Sequence, residues 1–191
     1  MKKITIEEYN SKWQTSFNDL KDVLLTEVAK NIISIEHVGS TSVEGLSAKP
    51  IIDIDIIIED DENLDSVISH LKKLGYIHLG DRGIKGREAF ERINDKVPFN
   101  NKNQIWMDHH LYVCKEGNIS LLNHLHFRDY LREHPETAKE YGELKRRLAN
   151  ECNDDIDMYV ERKTSFIVDV LKKTGFQIDE VESITEQNKK Q

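Results

Sequence analysis

The sequence predicts an α+β fold, a β-sheet with packed helices followed by a helical C-terminal segment. Three observations predict it. β-Branched runs at residues 32–38 and 51–58 alternate with helix-period segments as far as about residue 115. Beyond Gly117 the apolar residues recur only at helical spacing. No Pro/Ser/Gly-rich linker separates the two parts, so the helical part is expected to pack on the sheet. The chain is therefore read as one domain over residues 1–176, α/β to about 115 and helical from 116 to 176. Residues 177–191 read as a polar, frayed tail.

Trp13, Phe17, Leu20, Leu24 and Val28 step by four and three, which is one face of a helix over about residues 11–30. Ile32 to Val38 reads as a strand that enters a tight turn at Gly39-Ser40. Thr41 to Pro50 is a loop with room for one helical turn. Ile51 to Ile58 is dense in isoleucine, as a strand buried on both faces requires. The acids Glu59, Asp60, Asp61, Glu62 and Asp65 suit the first turn of the next helix, which runs through Leu64, Val67, Leu71 and Leu74 to a Gly75 cap. Tyr76–Leu79 is a short strand, and Gly80 to Arg87 is a glycine-rich loop. Strands are expected at 88–93 and 105–113, around a polar hairpin loop at 94–103. Three helices follow, marked by Leu121 to Leu131, Ala138 to Leu148, and Tyr159 to Leu171.

Composition excludes several functions. The 191-residue chain carries 27 Lys plus Arg against 35 Asp plus Glu, a formal charge of -8. That balance argues against coating long nucleic acid, which needs a basic face. It leaves room for a small basic pocket or an acidic metal site. The basic and acidic residues from Arg128 to Arg147 interleave and read as a solvated face. Two cysteines, Cys114 and Cys152, are too few for a disulfide framework and suit a reducing compartment. The N-terminus lacks signal-peptide character, and no apolar run is long enough to span a membrane. A cytoplasmic protein is expected.

The sharpest chemical feature is Asp53 and Asp55 inside the isoleucine-rich strand. Positions i and i+2 share a face, about 7 Å apart along the backbone. Two ionised carboxylates at roughly 6 Å repel by about 3 kcal/mol at an effective dielectric near 20. Something cationic is needed there, either a divalent metal or Lys and Arg side chains. Carboxylate oxygens with no nearby thiolate suit Mg²⁺ or Mn²⁺. Gly39-Ser40 ends the preceding strand, where a glycine lets backbone approach a phosphate and free N–H groups bind its oxygens.

A Gly-Ser turn followed by an Asp-x-Asp strand resembles the signature of the nucleotidyltransferase fold. The segment from His37-Val38-Gly39-Ser40-Thr41-Ser42 through Lys49-Pro50-Ile51-Ile52-Asp53 resembles the GrpB family more specifically. So do Gly80-Asp81-x-Gly83-Ile84-x-Gly86-Arg87-Glu88-Ala89-Phe90, His109-His110-Leu111, His126 to Leu131, Tyr141 to Leu148, and the Tyr159/Lys163/Phe166/Ile167 pattern. The resemblance covers about Glu7 to Leu171.

It implies a nucleotidyltransferase-like mixed sheet with added helices. It further implies a metal site at Asp53 and Asp55, and a phosphate site at Gly39, Ser40, Thr41 and Ser42. Lys49, Arg87, Glu88, Tyr159 and Lys163 fall in the same motif blocks as substrate-binding candidates. The third catalytic or metal-binding group is expected at His110, with Asp108 as the alternative. The family pattern resembles His-His-Leu-His, whereas this chain has Tyr112 at its last position. Phenol is a poor ligand for Mg²⁺, so the exchange bears on metal choice. The implied function is transfer of a nucleotidyl group from a nucleoside triphosphate to a hydroxyl acceptor. The alternative is an accessory module that binds a nucleotide or phosphorylated small molecule without transfer.

Overall fold

A computed structural model of the chain describes residues 4–176. The expectation for residues 177–191 lies outside the described residues. Five strands form one mixed sheet in the order β1-β2-β5-β4-β3. They are β1 (Ser34–Val38), β2 (Ile52–Ile58), β3 (Tyr76–His78), β4 (Arg87–Arg92) and β5 (His109–Lys115). β2 and β5 pair parallel, and the other neighbours pair antiparallel. The helices are α1 (Lys12–Val28), α2 (Leu64–Lys73), α3 (Ile119–Glu133), α4 (Pro135–Glu151) and α5 (Ile156–Lys173). The expected α+β fold is thus present.

The two faces of the sheet serve different purposes. Ile52, Ile54, Ile56, Leu111 and Val113 point to one face and join Phe17, Leu20 and Leu24 of α1 and Val67 and Leu71 of α2 in the main core. The helical segment packs against the other face, where Ile57, Cys114 and Leu121 make a smaller apolar cluster. Alternation along β2 therefore puts its aspartates on the face that α3 to α5 approach. Val43, Leu46, Leu131, Ala138 and Tyr141 form a further cluster, fixing the loop between β1 and β2 to α3 and α4.

Three local expectations are corrected. The strand expected at 105–113 runs instead from His109 to Lys115. Its length is set by its neighbour: Ile52 pairs with His109 and donates to Asp108 O, and Ile58 pairs with Lys115, so residues before Asp108 have no β2 backbone alongside. Ile105 is accordingly exposed. Glu59 to Glu62 precede α2 rather than forming its first turn, where Asp65 stands. The charges from Arg128 to Arg147 are not all solvated, since Arg128 and Lys145 are buried. Among the described residues no helix is long and apolar enough to cross a membrane.

Candidate functional site

The turn after β1 is built by a glycine that no other residue can replace. Gly39 has φ +67°, and a Cβ there would lie 2.1 Å from Asp53 Oδ2. The backbone thus passes directly over the carboxylate. A short 3₁₀ turn, Ser40–Ser42, follows and leaves its first N–H groups without partners inside the turn. Two arginines of α3 hold both ends of this segment. Arg128 donates to His37 O at 3.1 Å, and Arg132 donates to Ser42 O at 2.9 Å. Arg128 also pairs with Glu36 at 2.8 Å and Asp129 at 2.7 Å.

His37 supports the turn from the opposite face. The Thr41 hydroxyl donates to Ile51 O at 3.1 Å, so it accepts from His37 Nε2–H at 3.0 Å. The imidazole is stacked on Phe17, with ring centres 4.5 Å apart. Burial lowers its pKa to about 4, so it stays neutral. Ser42 donates its hydroxyl to Gly39 O at 2.6 Å and does not face the cleft. Of the four expected phosphate-site residues, Gly39, Ser40 and Thr41 line the cleft, and Ser42 braces them.

Register places Asp53 beside His110 and Asp55 beside Tyr112, all on the helix-facing side. Each carboxylate meets an imidazole. His110 Nδ1 lies 2.9 Å from Asp53 Oδ1, and His124 Nδ1, from α3, lies 2.7 Å from Asp55 Oδ2. Burial works to raise the Asp53 pKa, but the hydrogen bond and charge of His110, with His124 and Lys163, outweigh it and lower the pKa. The hydrogen bond to Asp53 raises His110 against its own burial. Burial opposes protonation of His124, and the charge and hydrogen bond of Asp55 overcome it, so that pKa is raised too.

Asp53, His110, Tyr112 and His124 line a cleft of about 380 Å³ between the sheet and the helical segment, while Asp55 is fully buried behind it. Lys49 and Lys163 stand over the Tyr159 ring at 4.5 and 5.5 Å, and Lys145 over the Tyr141 ring at 4.6 Å. Burial, then the neighbouring Lys49, pushes Lys163 down to about 8, with Asp53 opposing. Burial also depresses Lys49 and, more strongly, Lys145. Lys145 Nζ is buried with no hydrogen-bond partner. Arg87, on the same face of β4, lies 4.4 Å over the Tyr112 ring, and its Nε is likewise buried and unpartnered. The glycine-rich loop before it is fixed by Asn118, the N-cap of α3, which donates to Lys85 O at 3.0 Å and would clash with any Cβ at Gly86.

Two expected residues lie elsewhere. Glu88 alternates to the opposite face of β4 and pairs with His78 at 2.6 Å. Asp108 precedes β5, and its carboxylate accepts from Arg92 Nη2 at 2.6 Å, outside this cleft. Tyr112 underlies Arg87. Sequence reasoning missed His124 and Lys145. His124 lies in the helix expected to cover the sheet. Lys145 had a legible signal, standing four after Tyr141 and three before Leu148 on the apolar face of its helix.

Asp53 and Asp55 offer the oxygen donors that a hard divalent cation takes. Both groups offer carboxylate oxygen, and Asp55 Oδ1 is buried with no hydrogen-bond partner, as an oxygen reserved for a cation would be. Among the described residues no group of three or more His, Cys, Asp or Glu side chains is placed to hold a metal ion together.

Comparison with known proteins gives the family. The family model described as GrpB protein matches residues 3–173. The chain belongs to the GrpB family. It is 37% identical over 166 residues to the UPF0157 protein YqkA of Bacillus subtilis, covering 87% of this chain. It spans 46% of that relative's length, about half. The crystal structure of GrpB from Enterococcus faecalis superposes with a TM-score of 0.73 at 32% identity, covering 94% of this chain and 99% of that one. The family fold is therefore shared over nearly the whole molecule. A cytoplasmic RNA terminal U-transferase aligns weakly, with a TM-score of 0.41 at 11% identity over 73% of this chain and 43% of that chain. No functional reading rests on that last likeness.

Proposed function

We propose that the cleft binds a nucleoside triphosphate and transfers its nucleotidyl group to a hydroxyl acceptor, with Mg²⁺ or Mn²⁺ held by Asp53 and Asp55. One observation carries this reading. The Gly39-Ser40-Thr41 turn, Asp53, and the lysines 49, 145 and 163 face one another across a single cleft. A polyphosphate is an occupant that satisfies all of them together. Its oxygens accept from the turn N–H groups and from Lys145, whose ammonium otherwise has no hydrogen-bond partner. A bound divalent cation would supply Lewis acidity at the transferring phosphoryl group.

The chain's own residues do the rest. Lys49 and Lys163 offset charge on the phosphates. Arg87, held over the Tyr112 ring, offers a planar fork to a second phosphate oxygen. His110 keeps Nδ1 on Asp53, which leaves Nε2 to receive the proton of an attacking hydroxyl. The experiment is incubation with α-phosphate-labelled nucleoside triphosphates, Mg²⁺ or Mn²⁺, and a panel of hydroxylated acceptors. Labelled product from wild type, and none from Asp53→Asn, is expected.

A second reading is an accessory module that binds a nucleotide or phosphorylated small molecule without transfer. The pairing of both carboxylates with imidazoles favours it, because those contacts already satisfy one oxygen of each acid. Metal-independent nucleotide binding without product would establish that reading instead.

A further inference from the structure

A second cavity, of about 650 Å³, adjoins the first. Arg87, His110 and Tyr112 line both, so the two share a wall. It lies where the pairing of β4 with β5 ends beyond Phe90 and Leu111, so residues from both faces of these strands line it. Alternation on β4 puts Ala89 and Glu91 on the same face as Arg87, and pairing places Ala89 beside Tyr112 and Glu91 beside the exposed Ile77. At the far side stands Arg92. Its Nη2 is taken by Asp108 at 2.6 Å, while its Nη1 is buried and makes no hydrogen bond. Arg87 Nε, in the shared wall, is in the same condition. Two arginines thus line one cavity, and each holds a buried nitrogen without an acceptor, which is costly to maintain.

We propose that this cavity is a second ligand site, for a small hydroxylated molecule carrying one anionic group, and that this molecule is the acceptor. The anionic group accepts from Arg92 and the hydroxyl lies toward the shared wall. The volume falls within the usual range of small-molecule sites. The charges also favour a small ligand over a nucleic acid. Arg82, Arg87 and Arg92 are matched by Glu91, Asp95 and Asp108 around the rim, so no basic track is present. Recognition rests on directed donors instead of net charge.

The acceptor role rests on the reading of the first cleft given above. There, the acceptor oxygen forms a bond to the α-phosphorus as the bond from that phosphorus to the pyrophosphate oxygen breaks. The hydroxyl proton passes to His110 Nε2, and pyrophosphate leaves with the electron pair. No oxidant or reductant is needed.

The test uses amide NMR spectra of the intact chain with glycerol 3-phosphate, glycerate and glycerol as probes, without nucleotide. The two anionic probes are expected to shift the signals of Ala89, Glu91 and Arg92. Glycerol, which lacks the anion, is expected to bind at least tenfold more weakly. Arg92→Gln is expected to weaken the anionic probes at least tenfold while changing nucleotide affinity less than twofold. Glu91→Trp, at an exposed position, fills the cavity and gives the same result even if Arg92→Gln folds poorly. Shifts confined to Gly39 and Ser40, or equal binding of glycerol, would overturn the site. Failure of nucleotide to bind alongside intact probe binding sinks the acceptor role and the transfer reading together, and leaves a second anion site standing.

Discussion

At Gly39 one hydrogen in place of a methyl group lets the chain pass over Asp53. Gly39→Ala forces both a positive φ on alanine and a contact 2.1 Å from Asp53 Oδ2. The backbone conformation alone costs about 1–2 kcal/mol. The variant should therefore lose at least about 2 kcal/mol in urea unfolding, and Asp53 should shift off His110. Unchanged unfolding would show that the turn does not press on the carboxylate as described. His37 and His109 make a separate pH prediction. Both are buried, and burial lowers each from 6.5 to about 4. His109 accepts from Tyr76 at 2.6 Å and donates to Met107 O at 3.0 Å, which a proton on its second nitrogen would disrupt. A depressed imidazole pKa means that the unfolded chain binds the proton first. Stability from these two groups is therefore whole above pH 6.5 and falls between 6.5 and about 4, by up to about 3 kcal/mol each. His110 and His124 act with opposite sign, since their raised values give stability at low pH that is lost as pH climbs through them. His109→Gln should lose less stability than wild type between pH 7 and 4.5, as read from urea midpoints at the two values.

Helix α4 carries a conflict between stability and binding. Lys145 is 3% exposed and its ammonium has no hydrogen-bond partner. Burial makes its charged form costly, and Lys163 adds to that. Lys145→Met keeps the length and removes the ammonium, so it should raise the ligand-free melting temperature, with a gain of about 1 kcal/mol or more. The same change should weaken nucleotide binding at least tenfold. A lower melting temperature would mean that Lys145 already has a compensating partner. Elements also show what the sequence could convey. The period of two in Ile-Asp-Ile-Asp-Ile made Asp53 and Asp55 legible as neighbours on one face, and the helical spacings made all five helices legible. The ends of β5 were not legible, because they depend on where β2 begins and stops alongside. Glu88 and Arg87 were adjacent in one motif, yet alternation sends them to opposite faces. Only the start of β4 decides which of the two meets the cleft.

Over the whole molecule, the cleft is assembled from both parts of the chain. The sheet supplies Asp53, Arg87 and His110, with Asp55 buried behind His124, and the helices supply His124, Lys145, Tyr159 and Lys163. Such pairings at long sequence separation have no local signature, which is why His124 escaped a reading based on motif spacing. The net charge of -8 hides a cleft with four basic side chains, Lys49, Arg87, Lys145 and Lys163, around Asp53. An acidic protein with a basic pocket discriminates against long polyanions while it admits a short one. The central claim is that this pocket holds a nucleotide polyphosphate through the Gly39 turn, with a divalent cation on the carboxylates. Calorimetric titration of nucleoside triphosphates, with and without Mg²⁺ or Mn²⁺, into wild type and Asp53→Asn tests it most directly. The account predicts binding to wild type that strengthens at least tenfold with the cation, and loss of that gain in Asp53→Asn. Equal affinity with and without the cation, or a gain that survives in Asp53→Asn, would contradict it.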